Sequence, residues 1–291
     1  MLQMVRYLFA MVMCGVAMIG CDEFELQRAI IPMGDGVNKR FEQSMAMTEA
    51  GRIGSVNVRE EYLFYVCADP HIDKTYNYLD RFNDAFRNDN KASFGVVLGD
   101  CTETRDNINT YLKAVAYDAD RHLYNCNLFH ILGNHDLYFN GWSDFRDNLG
   151  PSVYWFEAVF PEGKDLYISL DSATGTLGRK QTEWILSFLA KYRQHYRHCG
   201  VLTHTNLFYK DNSQTGSGNM PIEESFSLIE LLGKHNVSLV LQGHDHYREE
   251  VTYGNVKYVV VGSIRDEAKS PDYLKVKVSS VGVDLDWQEM R

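Results

Sequence analysis

The chain has 291 residues, of which 45% are hydrophobic and 23% charged, and its formal net charge is −10 at pH 7. This is ordinary globular composition, which excludes a low-complexity chain and accommodates one large α/β domain or two small ones. The acidic balance argues against a nucleic-acid backbone as main partner, because phosphate binding needs clustered Lys and Arg, and it suits a site where bound metal ions supply the positive charge.

Residues 1–20 read as a targeting segment. Arg6 is the one charge before Asp22, an apolar run over residues 7–19 follows, and Gly20-Cys21 closes it, which is the layout of a secretory signal. The run is shorter than the ~20 apolar residues of a comfortable membrane span. Met18-Ile19-Gly20-Cys21 resembles a bacterial lipobox, which implies export to the cell envelope and lipid anchorage to a bacterial membrane through Cys21. Residues 21–60 lack a clear hydrophobic period and read as a tether with one short helix, so the folded domain is placed at 61–291.

From Tyr62 the pattern changes. Residues 62–67, 94–98 and 128–132 are continuous apolar runs, as expected for strands buried on both faces. Between them lie two helix-like segments, 76–87 with Leu79, Phe82 and Phe86 at helical spacing, and 108–124. Strand–helix alternation of this kind predicts parallel pairing through crossovers. The second half opens with strand-like segments at 153–160 and 166–170, a hairpin across Pro161-Glu162-Gly163. A helix over 179–197 carrying Trp184, Phe188 and Tyr192 follows, then a short strand ending near His204 and a helix opened by Pro221, a favoured first helical position. Strands at 237–241, 257–261 and 273–278 complete the chain. The order predicts two packed sheets with helices outside, in one domain. Cys67, Cys101, Cys126 and Cys199 contain no CxxC pair and read as small buried hydrophobes.

Residue types that bind metals recur just past strand ends. Asp69-Pro70-His71 follows the first strand, Gly99-Asp100 the second and Gly133-Asn134-His135-Asp136 the third; His204 ends a strand, and Gly243-His244-Asp245-His246 follows another. Any one of these is explained as a turn or a core histidine. Five together, all at carboxyl ends where loops converge on a rigid scaffold, point to one site. Mixed imidazole and carboxylate donors suit Zn, Fe or Mn rather than Ca or Mg.

In these blocks the sequence resembles the calcineurin-like metallophosphoesterases, whose pattern runs D-x-H, G-D, G-N-H-[DE], a His, then G-H-x-H. The resemblance implies a four-layer αββα sandwich of two mixed sheets. It implies that Asp69, His71 and His246 bind one metal, that Asn134, His204 and His244 bind a second, and that Asp100 bridges them. The implied reaction is hydrolysis of a small-molecule phosphomonoester or phosphodiester by in-line attack of a hydroxide held between the metals. His135 would then act as proton donor or electrostatic stabiliser, oriented by Asp136 or by Glu103. A rival reading is a catalytically silent, metal-holding surface lipoprotein. His71 and Glu103 stand where the purple acid phosphatases carry Gly and Tyr, so an iron–tyrosinate centre is not expected. The segment His204-Thr205-Asn206 lacks the Pro often found two residues after that His. Two loops are placed to read the substrate: 137–151 with Tyr138, Phe139, Trp142 and Arg146, and 206–220 with Phe208, Tyr209 and Lys210. Their aromatic residues either stack on a base or sugar or pack a lid.

Overall fold

The computed structural model describes residues 33–115, 127–208 and 220–290. In chain order these form α1 (Val37–Ala46), β1 (Arg52–Asn57), β2 (Tyr62–Cys67), α2 (Asn77–Asn88), β3 (Ala92–Val97), α3 (Ile108–Val115), β4 (Asn127–His130), α4 (Trp142–Leu149), β5 (Tyr154–Phe160) and β6 (Gly163–Ser169). Then come α5 (Gly178–Tyr192), β7 (Cys199–Leu202), α6 (Ile222–Lys234), β8 (Leu239–Gln242), β9 (Glu249–Tyr253), β10 (Val256–Val260), β11 (Asp272–Ser279) and β12 (Gly282–Glu289).

The strands make a five-stranded sheet, order β12-β11-β2-β3-β4, and a seven-stranded sheet, order β1-β5-β6-β7-β8-β10-β9. As the alternation predicted, β2, β3 and β4 run parallel, and so do β6, β7 and β8. The hairpin pairs β5 antiparallel to β6. In the small sheet β11 runs antiparallel to both β2 and β12, so both sheets are mixed. Their inner faces meet in an aromatic core in which Phe64, Phe94 and Val96 face Phe156, Tyr167 and Leu202, and Phe129 stacks on Phe156 with ring centroids 3.8 Å apart. On the outer face of the small sheet, Leu79, Phe82 and Phe86 of α2 cover Tyr65, Cys67 and Val97. On the outer face of the large sheet, Ile185 and Phe188 of α5 and Leu228 and Leu232 of α6 cover Ile168, Val201 and Val240. Helix, sheet, sheet, helix is the αββα sandwich expected, each large apolar side chain contributing about 1.5–3 kcal/mol of burial. Cys67, Cys101 and Cys199 are buried free thiols, while Cys126 lies outside the described residues.

The tether reading does not hold for residues 33–60. β1 pairs parallel with β5 at the edge of the large sheet, and Phe41 of α1 lies 6.0 Å from Trp184 of α5. The signal was missed because α1 buries Asn38, Arg40 and Ser44 along with Val37, so its inward face carries no apolar stripe. Arg40 is fully buried and donates from Nε and Nη2 to the two oxygens of Asp171, at 2.8 and 3.0 Å, with Nη1 on the Asp35 carbonyl at 2.7 Å. The targeting segment and Cys21 lie outside the described residues; among those described, no helix is long and apolar enough to cross a membrane.

Breaking one partner of a buried, fully bonded ion pair strands the other charge. Arg40→Ala is therefore expected to cost about 3–5 kcal/mol in urea unfolding, and the double substitution Arg40→Met with Asp171→Leu to recover most of that loss. A loss under about 1 kcal/mol for Arg40→Ala, the level of an exposed pair, would return this segment to a tether.

Candidate metal centre

The parallel register delivers the functional loops to one end of the sandwich. Asp69 and His71 leave β2, Asp100 follows β3, Asn134 and His135 follow β4, His204 follows β7, and His244 and His246 follow β8. The site thus straddles the two sheets. Tight turns are needed to aim so many polar side chains inward, and the backbone shows it: Asp69, His71, Asp100, His244 and His246 all have positive φ, between 44° and 72°. Left-handed conformations cost non-glycine residues energy, and they persist where the surrounding structure imposes them. Two glycines permit the closest approach. A Cβ on Gly133 would fall 2.1 Å from the Asp100 amide nitrogen, and one on Gly99 would fall 2.4 Å from His204 Nδ1.

All seven residues expected as ligands come together. Asp69, His71, Asp100 and His246 each offer a donor atom within 4.8 Å of the others, as do Asp100, His204 and His244. Asn134 joins the second set, its Oδ1 3.0 Å from His204 Nε2. Asp100 belongs to both: its Oδ2 lies 3.4 Å from His71 Nε2 and its Oδ1 3.5 Å from His204 Nε2. In each set two imidazoles point ring nitrogens at each other, His71 Nε2 at His246 Nε2 across 3.0 Å and His204 Nε2 at His244 Nδ1 across 3.1 Å. Ring nitrogens turned toward one another in this way, beside buried carboxylates, are the donor arrangement that suits a cation of the Zn, Fe or Mn type.

Further bonds set which nitrogen faces inward. His71 Nδ1 donates to Glu103 Oε2 at 2.9 Å and His204 Nδ1 donates to the Leu98 carbonyl at 2.8 Å, so in each ring Nε2 is the nitrogen that faces the site. Tyr138 accepts a bond from Asn134 Nδ2 at 2.8 Å, holding the amide oxygen toward His204. The loop after His204 lacks a proline, but Ser172 Oγ accepts from the amides of His204 and Thr205 at 3.2 and 2.9 Å, and Asn206 donates to Asp245 at 2.7 Å.

His135 sits at the rim with its side chain 22% exposed. Its amide donates to Asp100 Oδ1 at 2.8 Å, and its Nδ1 donates to the Glu103 carbonyl at 3.0 Å. Of the two candidates to orient it, Glu103 therefore does so, through its backbone. Asp136 is corrected: its carboxylate turns away and accepts from the amides of Thr102 and Gly133 at 3.1 and 2.9 Å. It clamps the loops after β3 and β4 together, which the adjacency of His135 and Asp136 could not reveal. Of the aromatic loop residues, Trp142 and Phe145 pack in the core, Phe208 packs on Tyr258 and Tyr138 lies against His135, ring centroids 4.4 Å apart. Tyr209 and Lys210 lie outside the described residues. The roles of Glu103 toward His71 and of Tyr138 toward Asn134 carried no sequence signal, because each joins residues from separate turns.

Electrostatics separate the histidines. Burial, and then the neighbouring His204, push His244 down to about 3; burial, and then His71, push His246 down to about 3. Burial also disfavours a charged His204, but the nearby Asp100 and Asp69 outweigh it and raise its pKa to about 10. Burial drives Asp69 upward, while Asp100, despite burial, is held well below the carboxylate range by His204 and His71. Around neutral pH the metal-free centre thus holds a proton on His204 that a cation must displace. Metal binding is expected to release protons, and affinity to rise as pH climbs from neutral toward about 10, because deprotonated ligands bind. Calorimetry in two buffers of different ionisation enthalpy measures this; equal heats in both would contradict the assignment.

The model of the calcineurin-like phosphoesterase family matches residues 62–248. No curated protein sequence matches the chain. Among solved structures, GAP50, the anchor in the inner membrane complex of Plasmodium, superposes with a TM-score of 0.59 at 14% identity, over 79% of this chain and 84% of that one. A dimetal phosphatase from Danio rerio gives 0.55 at 13% identity, over 78% and 95%. A putative 5'-nucleotidase from Staphylococcus aureus in complex with alpha-ketoglutarate gives 0.51 at 15%, over 79% of this chain and 53% of that one. At these identities the structures share the fold. The family match spans most of the described domain and contains every ligand residue of the centre, and on that ground the chain belongs to the calcineurin-like phosphoesterases.

Proposed function

We propose that this chain is a binuclear metal-dependent hydrolase of small phosphoric esters. The observation that carries the reading is the shared carboxylate of Asp100, which serves both donor sets. One set is Asp69, His71, Asp100 and His246; the other is Asn134, His204, His244 and Asp100. Two Mn, Fe or Zn ions held there would supply Lewis acidity, activation of water and neutralisation of phosphate charge. The chain's own residues do the rest. His135, hydrogen-bonded to Glu103 through Nδ1, keeps Nε2 for the ester, to stabilise its developing charge or protonate its leaving group. Glu103 stays ionised because the bond to His71 lowers its pKa, so it holds the His71 tautomer.

A second reading is metal retention without turnover in a binding lipoprotein. It is favoured by the likeness in fold to GAP50, whose description is that of an anchor in a membrane complex. The same N-terminal segment supports export and lipid anchorage at Cys21 in either reading. Intact-mass analysis of the protein from a membrane fraction is expected to show a diacylglyceryl-modified Cys21 as first residue; an unmodified N-terminus beyond Cys21 would remove the anchor.

The enzymatic reading is tested with a chromogenic phosphodiester and the matching monoester on Mn-loaded protein. Cleavage of one or both is expected, with His135→Ala retaining metal but losing about 10²–10⁴-fold in kcat. Asp100→Asn is expected to lose both metal and rate. Metal confirmed by elemental analysis with no cleavage of either ester would favour the binding lipoprotein, and metal loss in His135→Ala would overturn the division between ligands and catalyst.

A further inference from the structure

A cavity of about 890 Å³ opens beside the centre, lined by His246, Tyr247, Arg248, Arg265, Lys269 and Asp272 among others. Its cations differ in their engagement. Arg248 is occupied: Nη1 lies 3.7 Å from Asp272 Oδ2 and the guanidinium lies over the Trp287 ring at 4.8 Å. Arg265 is half-buried, and its backbone is bonded, the amide to Ser263 Oγ at 3.2 Å and the carbonyl to the Ala268 amide at 2.9 Å. Its guanidinium meets no acid, carbonyl or ring among the described residues. The nearest acids along the chain do not answer it: Asp266 accepts from Asn77 and from the Tyr78 amide, Glu267 is exposed, and Asp272 already faces Arg248.

The loop that carries Arg265 is fastened to the centre itself. Ser263 Oγ donates to the Asp69 carbonyl at 2.7 Å, and the Ile264 amide donates to the Ala68 carbonyl at 3.0 Å. Arg265 is thus set two residues from a bond to a ligand loop, on a wall shared with His246. A guanidinium that makes no bond to the described residues has its planar fork available, and that fork matches a carboxylate or a phosphate.

We infer that Arg265 receives a second anionic group of the substrate, so that the preferred ester carries a phosphate or carboxylate on the portion lying in this cavity. This rests on the phosphoesterase reading for the position of the scissile phosphate. Specificity of this kind is read by binding, with non-hydrolysable probes on the metal-loaded protein. By titration calorimetry, 4-carboxyphenylphosphonate and 1,4-phenylenebisphosphonate are expected to bind about tenfold or more tightly than phenylphosphonate, the size of one charge-assisted bond. Arg265→Ala is expected to abolish that preference while leaving phenylphosphonate affinity unchanged, which also reports an intact centre, and Arg265→Lys to keep part of it. Equal binding of the three probes, no binding of any, or a preference that survives Arg265→Ala would overturn the inference. Because the readout is binding, absence of ester cleavage would count against the hydrolase reading alone.

Discussion

The structure turns on the carboxylate of Asp100. It is essentially buried, accepts the His135 amide, and faces His71 on one side and His204 on the other. A buried carboxylate with only one hydrogen-bonded amide is costly to hold; compensating charge must stand on both sides of it. That requirement explains the surrounding geometry, in which imidazoles from both sheets crowd one group and Gly133 gives up a side chain so that its backbone can lie against Asp100.

The cost of this convergence is spread over the fold. Five ligand residues occupy left-handed backbone conformations, and such strain persists only when better-packed parts overdetermine it. The aromatic core between the sheets provides that stiffness, since Phe64, Phe94, Phe129, Phe156 and Tyr167 interlock directly behind the strands that launch the loops. The loops are then cross-tied: Asp136 joins those after β3 and β4, Ser172 steadies the one bearing His204, and Ser263 ties the loop after β10 to Asp69. The grouped donor residues are largely buried and cross-tied, whereas the site is open at His135 and along the cavity by His246.

Interior strands were legible, as was β4 at one edge of the small sheet, whereas the other three edge strands were not. The runs that became β2, β3, β7 and β8 are buried on both faces, and burial on two faces leaves a continuous apolar signature. β1, β9 and β12 close three of the four edges of the two sheets. They are mixed in polarity and largely exposed, as in Glu249–Tyr253, so no period marks them until a neighbour supplies the hydrogen bonds. The helix α1 escaped for a related reason. It docks through Arg40 on Asp171, 131 residues away, and a buried ion pair looks in one dimension like two ordinary surface charges.

The sequence by itself determined which residues would be brought together, because metal-binding residue types recur just beyond strand ends in a family pattern; Asp69, His71, Asp100, Asn134, His204, His244 and His246 all meet in the fold. It also determined the sandwich, through alternating buried runs and helical stripes. Only the tertiary structure decided what each neighbouring polar group does. Asp136 became a clamp rather than an orienting acid, Glu103 became the support of His71, and Arg265 was left facing a cavity beside His246. The physical reason is that a side chain's role follows from the partner across from it, and partners from separate loops are assigned by packing rather than by spacing along the chain.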